Sequence, residues 1–353
     1  MNLKNKRFEQ KYYSLGLLLS CMFVCACTNK IADTAIKNKA RITLEFVAAK
    51  PSAQYMTSHL ENEDLNSLEP QIAKDANGNE MAVWEEYDGT RFGIWAKRRA
   101  ATAKQDGSVV GIWERSTPID ALIKGNAYHP QIQFDANGNA IAVWEQSDGL
   151  TSAIWKNSYT ASKGWGIPNR VNTHVEGSAK KPQIAITSNN LPIVVWQQSS
   201  ARNPEYFRIF ATQQNADLAW RKPSVIDANQ GNSSSPTIAS DVNGNAIAIW
   251  HTFDGRHNKI KANYFTALGG WTKASSVETS YSDAYSPSIT LDVNGNAIAI
   301  WHQMDGSRPN FWANRFAPQA GWGQAKLVKP DLSDGDFPTV GIDRFGNAVL
   351  ASY

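Results

Sequence analysis

Short apolar runs that end in tryptophan recur along the chain at a nearly constant interval. In Ala246-Ile247-Ala248-Ile249-Trp250, small and large apolar residues alternate without a polar position. A short run of this kind is typical of a β-strand that is buried on both faces. The equivalent runs end at Trp84, Trp144, Trp196, Trp250 and Trp301. The pattern therefore predicts buried strands of one repeated type, with the tryptophans in the core.

A longer repeat surrounds each of these strands. One position of it is proline, at spacings of 60, 52, 54, 51 and 51 residues: Pro70, Pro130, Pro182, Pro236, Pro287 and Pro338. Five residues after the proline stands Asp75, Asp135, Thr187, Asp241, Asp292 or Asp343. Five copies continue with Gly-Asn, as in Gly78-Asn79, and the third has Asn189-Asn190. A fixed period of this length indicates a repeat architecture.

Each copy predicts four strands. The Pro-x-Ile run is the first strand. The Asp-x-x-Gly-Asn segment is a hairpin turn, because Asp bonds the turn backbone and Gly tolerates positive φ. The tryptophan run is the second strand, and an Asp-Gly turn leads to a third. A fourth begins near Trp113, Trp165, Trp220, Trp271 or Trp322. Four antiparallel strands in about 50 residues form one blade of a β-propeller.

The two ends of the chain are predicted to share one blade. The last copy has only two strands before Tyr353, whereas residues 41–49 match a third strand and residues 55–70 a fourth strand with its exit loop. We therefore predict an all-β fold over residues 41–353: a six-bladed β-propeller with four-stranded antiparallel blades and a closing blade built from N- and C-terminal strands. Such closure leaves no unpaired sheet edge.

The repeat also resembles known propeller families. Its Pro-x-Ile-x-x-Asp-x-x-Gly-Asn hairpin resembles the NHL-type repeat and, more loosely, the Asp-box turns of sialidase-like propellers. The resemblance covers residues 69–353. It implies a fold and no particular activity, since propellers carry many unrelated functions.

The first 26 residues are predicted to be a signal peptide. A basic start with Lys4, Lys6 and Arg7 precedes an apolar stretch over residues 15–24 that is too short for a transmembrane helix. The following Val24-Cys25-Ala26-Cys27 resembles the lipobox of bacterial lipoproteins. That resemblance implies a lipid on Cys27, a linker over residues 27–40, attachment to the membrane and, with Thr28 next, sorting to the outer membrane. An ordinary signal peptide cut elsewhere is the alternative.

Charge and motifs exclude several function classes. Removal of residues 1–26 takes away four cations and one acid, so the formal charge of +3 falls to zero. A neutral chain argues against nucleic-acid binding, which needs a dense positive surface. The sequence has no Gly-rich phosphate loop, no His-Glu-x-x-His and no Gly-x-Ser-x-Gly. We predict no cofactor and no metal, and we interpret the oxygen-rich Asp-x-Asn-Gly-Asn segment as a structural turn.

Candidate chemistry lies on the face with the Asp-Gly turns and the connections between blades. One ring of positions follows the strand-two tryptophans: Glu85, Glu145, Gln197, His251, His302 and Tyr353. Two carboxylates and two imidazoles could serve acid/base catalysis or a metal. Solvated or interface side chains are the favoured alternative.

Two further sets are candidate binding residues. Four arginines lie near the Asp-Gly turns: Arg91, Arg202, Arg256 and Arg308. Their planar guanidinium groups suit a carboxylate or phosphate, but pairing with nearby acids is the alternative. Residues of the connections could stack on a ligand: Tyr128, His129, Tyr281, Tyr285 and Phe337.

These features favour a lipid-anchored, monomeric envelope protein that binds a protein or glycan through one propeller face. The sequence leaves open whether it is an enzyme. The alternative is a glycan-active hydrolase or lyase of the sialidase-like type that uses Glu85, Glu145, His251 or His302. A component of an envelope assembly machine is a third hypothesis.

Overall fold

The computed structural model describes residues 45–46, 67–103, 109–121, 125–173, 176–228, 231–280, 282–306, 308–329, 339–342 and 348–351. In these residues every secondary-structure element is a β-strand. This part of the chain has no helix that is long and apolar enough to cross a membrane. The all-β prediction is confirmed here.

The repeats form five four-stranded antiparallel sheets. The first contains Ser67–Lys74, Glu80–Tyr87, Phe92–Arg99 and Thr117–Pro118. The second contains Ala127–Phe134, Ala140–Ser147 and Ser152–Thr160, with Gly164–Trp165 and Asn169–Arg170 both paired to the third strand. The third contains Ala179–Ile186, Pro192–Ser199, Phe207–Gln213 and Ser224–Val225.

The fourth and fifth sheets repeat the plan of the second. The fourth contains Asn232–Ser240, Ala246–Phe253 and Asn258–Thr266, with Gly270–Trp271 and Ser275–Ser276 at its outer edge. The fifth contains Ala284–Leu291, Ala297–Asp305 and Arg308–Ala317, with Gly321–Trp322 and Lys326–Lys329 outermost. The predicted order of four strands per repeat is thus confirmed.

A small hairpin accounts for the irregular first spacing. Thr102–Ala103 pairs with Val109–Val110 between the third and fourth strands of the first sheet. This insertion explains why the first two prolines of the repeat stand 60 residues apart.

The closing sheet differs from its prediction. Thr339–Ile342 and Ala348–Ala351 pair antiparallel, and Glu45–Phe46 pairs with Val349–Leu350. The N-terminal strand Glu45–Phe46 is parallel to its partner, not antiparallel as the sequence predicted. In the other sheets a tight turn joins the second and third strands and forces them antiparallel. No turn joins the second strand here to Glu45, so that constraint is lost.

The sheets stack on one another in chain order through their innermost strands. Ser67–Lys74 contacts Ala127–Phe134, and the same contact repeats from sheet to sheet as far as Thr339–Ile342. Each strand-two tryptophan is at most 1% exposed. Trp144 lies in one core cluster with Met81 and Ile94 of the preceding sheet. The tryptophans are therefore core residues, as predicted, and they join neighbouring sheets.

The residue two positions after the tryptophan completes this core. The indole N–H of Trp144 donates to the Oε1 atom of Gln146 at 3.0 Å, and Glu86, Gln198 and Gln303 accept in the same way from their tryptophans. In the fourth sheet Thr252 occupies this position. In the described residues the indole N–H of Trp250 has no hydrogen-bond partner.

The Asp-x-x-Gly-Asn segments are structural turns, as predicted. Asp75 Oδ1 accepts the backbone N–H groups of Asn77 and Asn79 at 2.9 and 2.8 Å, and Oδ2 accepts the Asn79 amide. Asp135, Asp241 and Asp292 repeat this arrangement. Both carboxylate oxygens are thus occupied by their own turn.

Candidate functional site

A β-bulge occurs at the same place on the innermost strand of each of the five sheets. The strand register shifts across the residue that precedes the repeat proline. These five residues, the bulge residues, have φ angles of 49–53°: Glu69, His129, Lys181, Ser235 and Ser286. Positive φ is uncommon outside glycine and costs of order 1–3 kcal/mol. A bulge changes the direction of a side chain, and the five bulges lie at the same end of their sheets.

Three side chains of the ring that follows the tryptophans hold three of these bulges in place. Glu85 Oε1 accepts the backbone N–H of His129 at 2.6 Å, and Glu145 Oε2 accepts that of Lys181 at 2.7 Å. Gln197 Oε1 accepts from Ser235 N–H at 2.9 Å. In each case a side chain of one sheet bonds the bulge of the next. A buried backbone N–H needs an acceptor, so this part of the predicted ring joins neighbouring sheets.

Four side chains from the first and second sheets converge at this end and are here called the polar cluster: Glu69, Glu85, His129 and Glu145. His129 Nδ1 lies 3.2 Å from Glu145 Oε2, and its Nε2 lies 3.9 Å from Glu69 Oε1. One ligand atom each of Glu69, Glu85 and His129 lies within 4.8 Å of the others. The side chains of His129 and Glu69 are 33% and 26% exposed, so a ligand can reach them.

The surroundings of the polar cluster change the pKa values of Glu85 and His129. Burial raises the pKa of Glu85 to about 8, with a further rise from the charge of Glu69. Burial lowers the pKa of His129, but the contact and charge of Glu145 and the charges of Glu69 and Glu85 outweigh it, so the net pKa is raised. Groups with pKa values displaced in this way collect at functional sites.

The two other histidines of the predicted ring lie in different surroundings. His251 Nε2 lies 2.7 Å from Ser234 Oγ, and its ring meets Tyr285 edge-on at 5.8 Å. Burial, and then the charge of Lys181, lowers the pKa of His251 to about 4. His302 stacks flat on Phe311 at 5.0 Å.

An aromatic row leads to the polar cluster from the Asp-Gly turn of the first sheet. Tyr87 and Phe92 flank that turn with ring centroids 5.2 Å apart, and Tyr128 follows 5.5 Å from Phe92. Tyr128 lies 6.4 Å from the ring of His129. These three rings are called the aromatic row. Tyr128 and His129 lie on the strand Ala127–Phe134, and not in a connection between blades as the sequence suggested.

The predicted arginines differ in their surroundings. Arg91 Nη1 lies 2.5 Å from Oδ2 of the buried Asp120 and also contacts the carbonyl oxygens of Phe92 and Gly125. Arg202, Arg256 and Arg308 are exposed. Arg91 therefore acts as a structural ion-pair partner here. Arg208, which the sequence reasoning did not select, makes the equivalent pair with Asp227 in the third sheet.

Four residues selected from the sequence lie outside the described part of the chain: Cys27, Tyr281, Phe337 and Tyr353. Sequence reasoning missed Glu69 and Lys181, although the signal was present. Both stand directly before the repeat proline, at the position that His129 occupies in the second copy.

Comparisons with known proteins identify the fold. No protein-family model matches the sequence, and no curated protein matches it. A protein of unknown function from Dyadobacter fermentans DSM 18053 has a TM-score of 0.54 at 12% identity, covering 82% of this chain and 94% of that one. A PL25 ulvan lyase bound to -[GlcA(1-4)Rha3S]- has a TM-score of 0.53 at 9% identity, covering 77% of this chain and 71% of that one.

A leech intramolecular trans-sialidase complexed with 2,7-anhydro-Neu5Ac also matches, with a TM-score of 0.49 at 9% identity, covering 81% of this chain and 64% of that one. At such identities the likeness concerns the fold alone. The five stacked four-stranded antiparallel sheets are consistent with a β-propeller, and the fold is similar to those of the Dyadobacter protein and the ulvan lyase.

Proposed function

We propose that this chain is a closed six-bladed propeller that binds a glycan at the end of the sheets where the polar cluster lies. The observation that carries the proposal is the aromatic row, which runs from an exposed turn to a group of partly accessible carboxylates and an imidazole. Ligand sites combine aromatic walls with a few placed polar groups. Aromatic rings suit the apolar faces of sugars, and carboxylates accept hydrogen bonds from hydroxyls.

The charges of the site favour a neutral glycan. Three of the four side chains of the polar cluster are carboxylic acids, and Arg91 is engaged by Asp120. Like charges oppose the approach of an acidic sugar. Hydroxyl groups, in contrast, donate to carboxylates without a charge penalty. A neutral glycan thus replaces the carboxylate or phosphate ligand that the arginines suggested in the sequence.

Binding to a panel of immobilised neutral and acidic glycans tests the proposal. We expect at least one neutral glycan to bind, and Tyr128→Ala to weaken its binding about tenfold or more, since truncation of an aromatic contact residue costs more than about 1 kcal/mol. Leu268→Ala is the matched control, because Leu268 is fully exposed in a turn at the opposite end of the strands. Binding of acidic glycans alone, or equal losses in both variants, would contradict the proposal.

A glycan-active enzyme is the second candidate. His251 favours it: at neutral pH its imidazole is uncharged, its Nδ1 has no hydrogen-bond partner in the described residues, and Tyr285 lies beside it. A neutral imidazole can accept a proton. Chromatography of the bound glycans after incubation distinguishes the candidates, because a binding protein leaves them intact, whereas a hydrolase or lyase shortens them.

The proposal also includes an envelope location, with Cys27 as the lipid-bearing residue and the outer membrane as its site. It is supported by the sequence Val24-Cys25-Ala26-Cys27 after the apolar stretch. Labelling of expressing cells with a tagged fatty acid checks it, and label that persists in Cys27→Ser would exclude this anchor.

A further inference from the structure

The polar cluster contains three side chains whose donor atoms converge from two sheets. Glu69 and His129 occupy the same bulge position in the first and second sheets, and Glu85 reaches toward them from the second strand of the first sheet. Their ligand atoms all lie within 4.8 Å of one another. Donors bound to one metal ion lie roughly 3 Å apart, given metal–ligand bonds of about 2 Å. Small side-chain rotations would therefore bring all three onto a single ion.

The fourth member of the polar cluster orients the imidazole. Glu145 Oε2 lies 3.2 Å from His129 Nδ1 and accepts the backbone N–H of Lys181, which fixes its carboxylate. A carboxylate beside Nδ1 favours the tautomer with the proton on that atom. Nε2, which lies 3.9 Å from Glu69 Oε1, is then the nitrogen that can bind a metal. A carboxylate behind a histidine in this way is the usual outer partner of a metal-binding imidazole.

Glu85 is also held by the fold. One of its oxygens accepts the backbone N–H of His129 at 2.6 Å. This hydrogen bond positions the carboxyl group next to the imidazole of His129, the other ligand of the same metal ion. Its side chain is buried, and its donor atoms meet those of Glu69. Two carboxyl groups and an imidazole at one point form a donor set that suits a divalent transition-metal ion.

We propose that Glu69, Glu85 and Nε2 of His129 bind one divalent transition-metal ion, of the Mn²⁺ or Zn²⁺ class, with Glu145 as the orienting partner. Carboxylates suit Mn²⁺, and the imidazole favours transition metals over Mg²⁺ and Ca²⁺. Three protein ligands leave coordination positions for water or for hydroxyl groups of a ligand. A role in sugar binding rests on the proposed function, whereas the metal site itself does not.

Titration of the purified full-length protein with Mn²⁺, followed by electron paramagnetic resonance of the free ion, tests the site. Mn²⁺ is the better probe, because the thiolates of Cys21, Cys25 and Cys27 favour Zn²⁺. We expect one Mn²⁺ per chain, displacement by Zn²⁺, and an echo-modulation signal from a coordinated imidazole nitrogen. Absence of saturable binding, or of the nitrogen signal, would overturn the proposal.

Variants locate the ion. Glu69→Gln keeps the side-chain shape, and His129→Asn keeps a residue that tolerates positive φ. We expect each to weaken Mn²⁺ binding at least tenfold, and His129→Asn to abolish the nitrogen signal. Ser235→Asn is the matched control, because Ser235 has the same bulge conformation two sheets away. Thermal unfolding verifies that the variants fold. Equal Mn²⁺ affinity in all variants would refute this location.

The two proposals can fail separately. Mn²⁺ binding that depends on Glu69 and His129 in a protein that captures no glycan would refute only the proposed function. Glycan binding that depends on Tyr128 in a protein without a Mn²⁺ site would refute only the metal site.

Discussion

At the residue scale, one repeat position carries four different residue types in five copies while keeping the same backbone. The bulge residue is an acid, an imidazole, a lysine or a serine, and yet its φ angle hardly varies. In the second, third and fourth sheets, a side chain of the preceding sheet, next to its tryptophan, accepts the N–H of the bulge residue. Because the neighbouring sheet holds the backbone there, the side chain at this position can vary. This explains how a regular repeat can carry an irregular functional site.

His251 gives a prediction about pH. Its pKa is about 4 in the folded protein, against an ordinary value of 6.5, because burial and the charge of Lys181 disfavour the imidazolium. Between these values the unfolded chain binds the proton and the folded protein does not, so the free energy of unfolding falls as the pH falls from about 6.5 to 4. The loss is at most about 3 kcal/mol. Ser234 and Tyr285 also face the ring.

Denaturant unfolding of the wild type and of His251→Gln at several pH values between 7.5 and 4.5, roughly spanning this transition, checks the prediction. We expect the variant to lose less stability than the wild type on acidification. Stability curves that stay parallel over the whole range would show that His251 does not titrate as described.

At the element scale, the sheets are joined by side chains that serve buried backbone groups. The amides of Asn157, Asn263 and Asn314 each donate to a carbonyl of the preceding sheet and to a turn of their own. Together with Glu85, Glu145 and Gln197, these asparagines form hydrogen bonds between the otherwise apolar faces of neighbouring sheets. These hydrogen bonds fix which part of one sheet contacts which part of the next, and this explains the regular stacking.

Gln197 tests the strength of one link. Gln197→Leu removes the acceptor of the Ser235 N–H, and an unsatisfied buried N–H costs about 1–3 kcal/mol. We expect a loss of this size in the free energy of unfolding, measured with urea. Gln197→Glu keeps an acceptor oxygen, as Glu85 and Glu145 do in their sheets, and serves as the control. A loss in Gln197→Glu as large as in Gln197→Leu would show that the hydrogen bond is not the cause.

At the scale of the whole molecule, stability depends on stacking each sheet against the next. A single sheet of a repeat protein cannot bury its apolar faces alone. The last sheet follows this rule, since Val340 is buried and packs with Ile298, Ile300 and Phe311 of the fifth sheet. The strand Thr339–Ile342 is therefore packed against the fifth sheet through Val340.

Val340→Asp tests this contact. A carboxylate placed among apolar side chains is expensive, and we expect the free energy of unfolding to fall by at least about 3 kcal/mol. Val293→Asp is the control, because Val293 is 63% exposed and a charge there stays in water. Chemical denaturation of both variants gives the comparison. Similar stabilities would show that the closing sheet is not docked in this way.

The sequence alone determined what depends on local pattern. The order of four strands in each repeat, the Asp-x-x-Gly-Asn turns and the tryptophan core follow from spacing, turn chemistry and alternation, which act over a few neighbouring residues. Only the tertiary structure decided the direction of the N-terminal strand, the engagement of Arg91 by Asp120, and the convergence of Glu69 with Glu85 and His129. These outcomes depend on contacts between residues far apart in the chain, which no local pattern specifies.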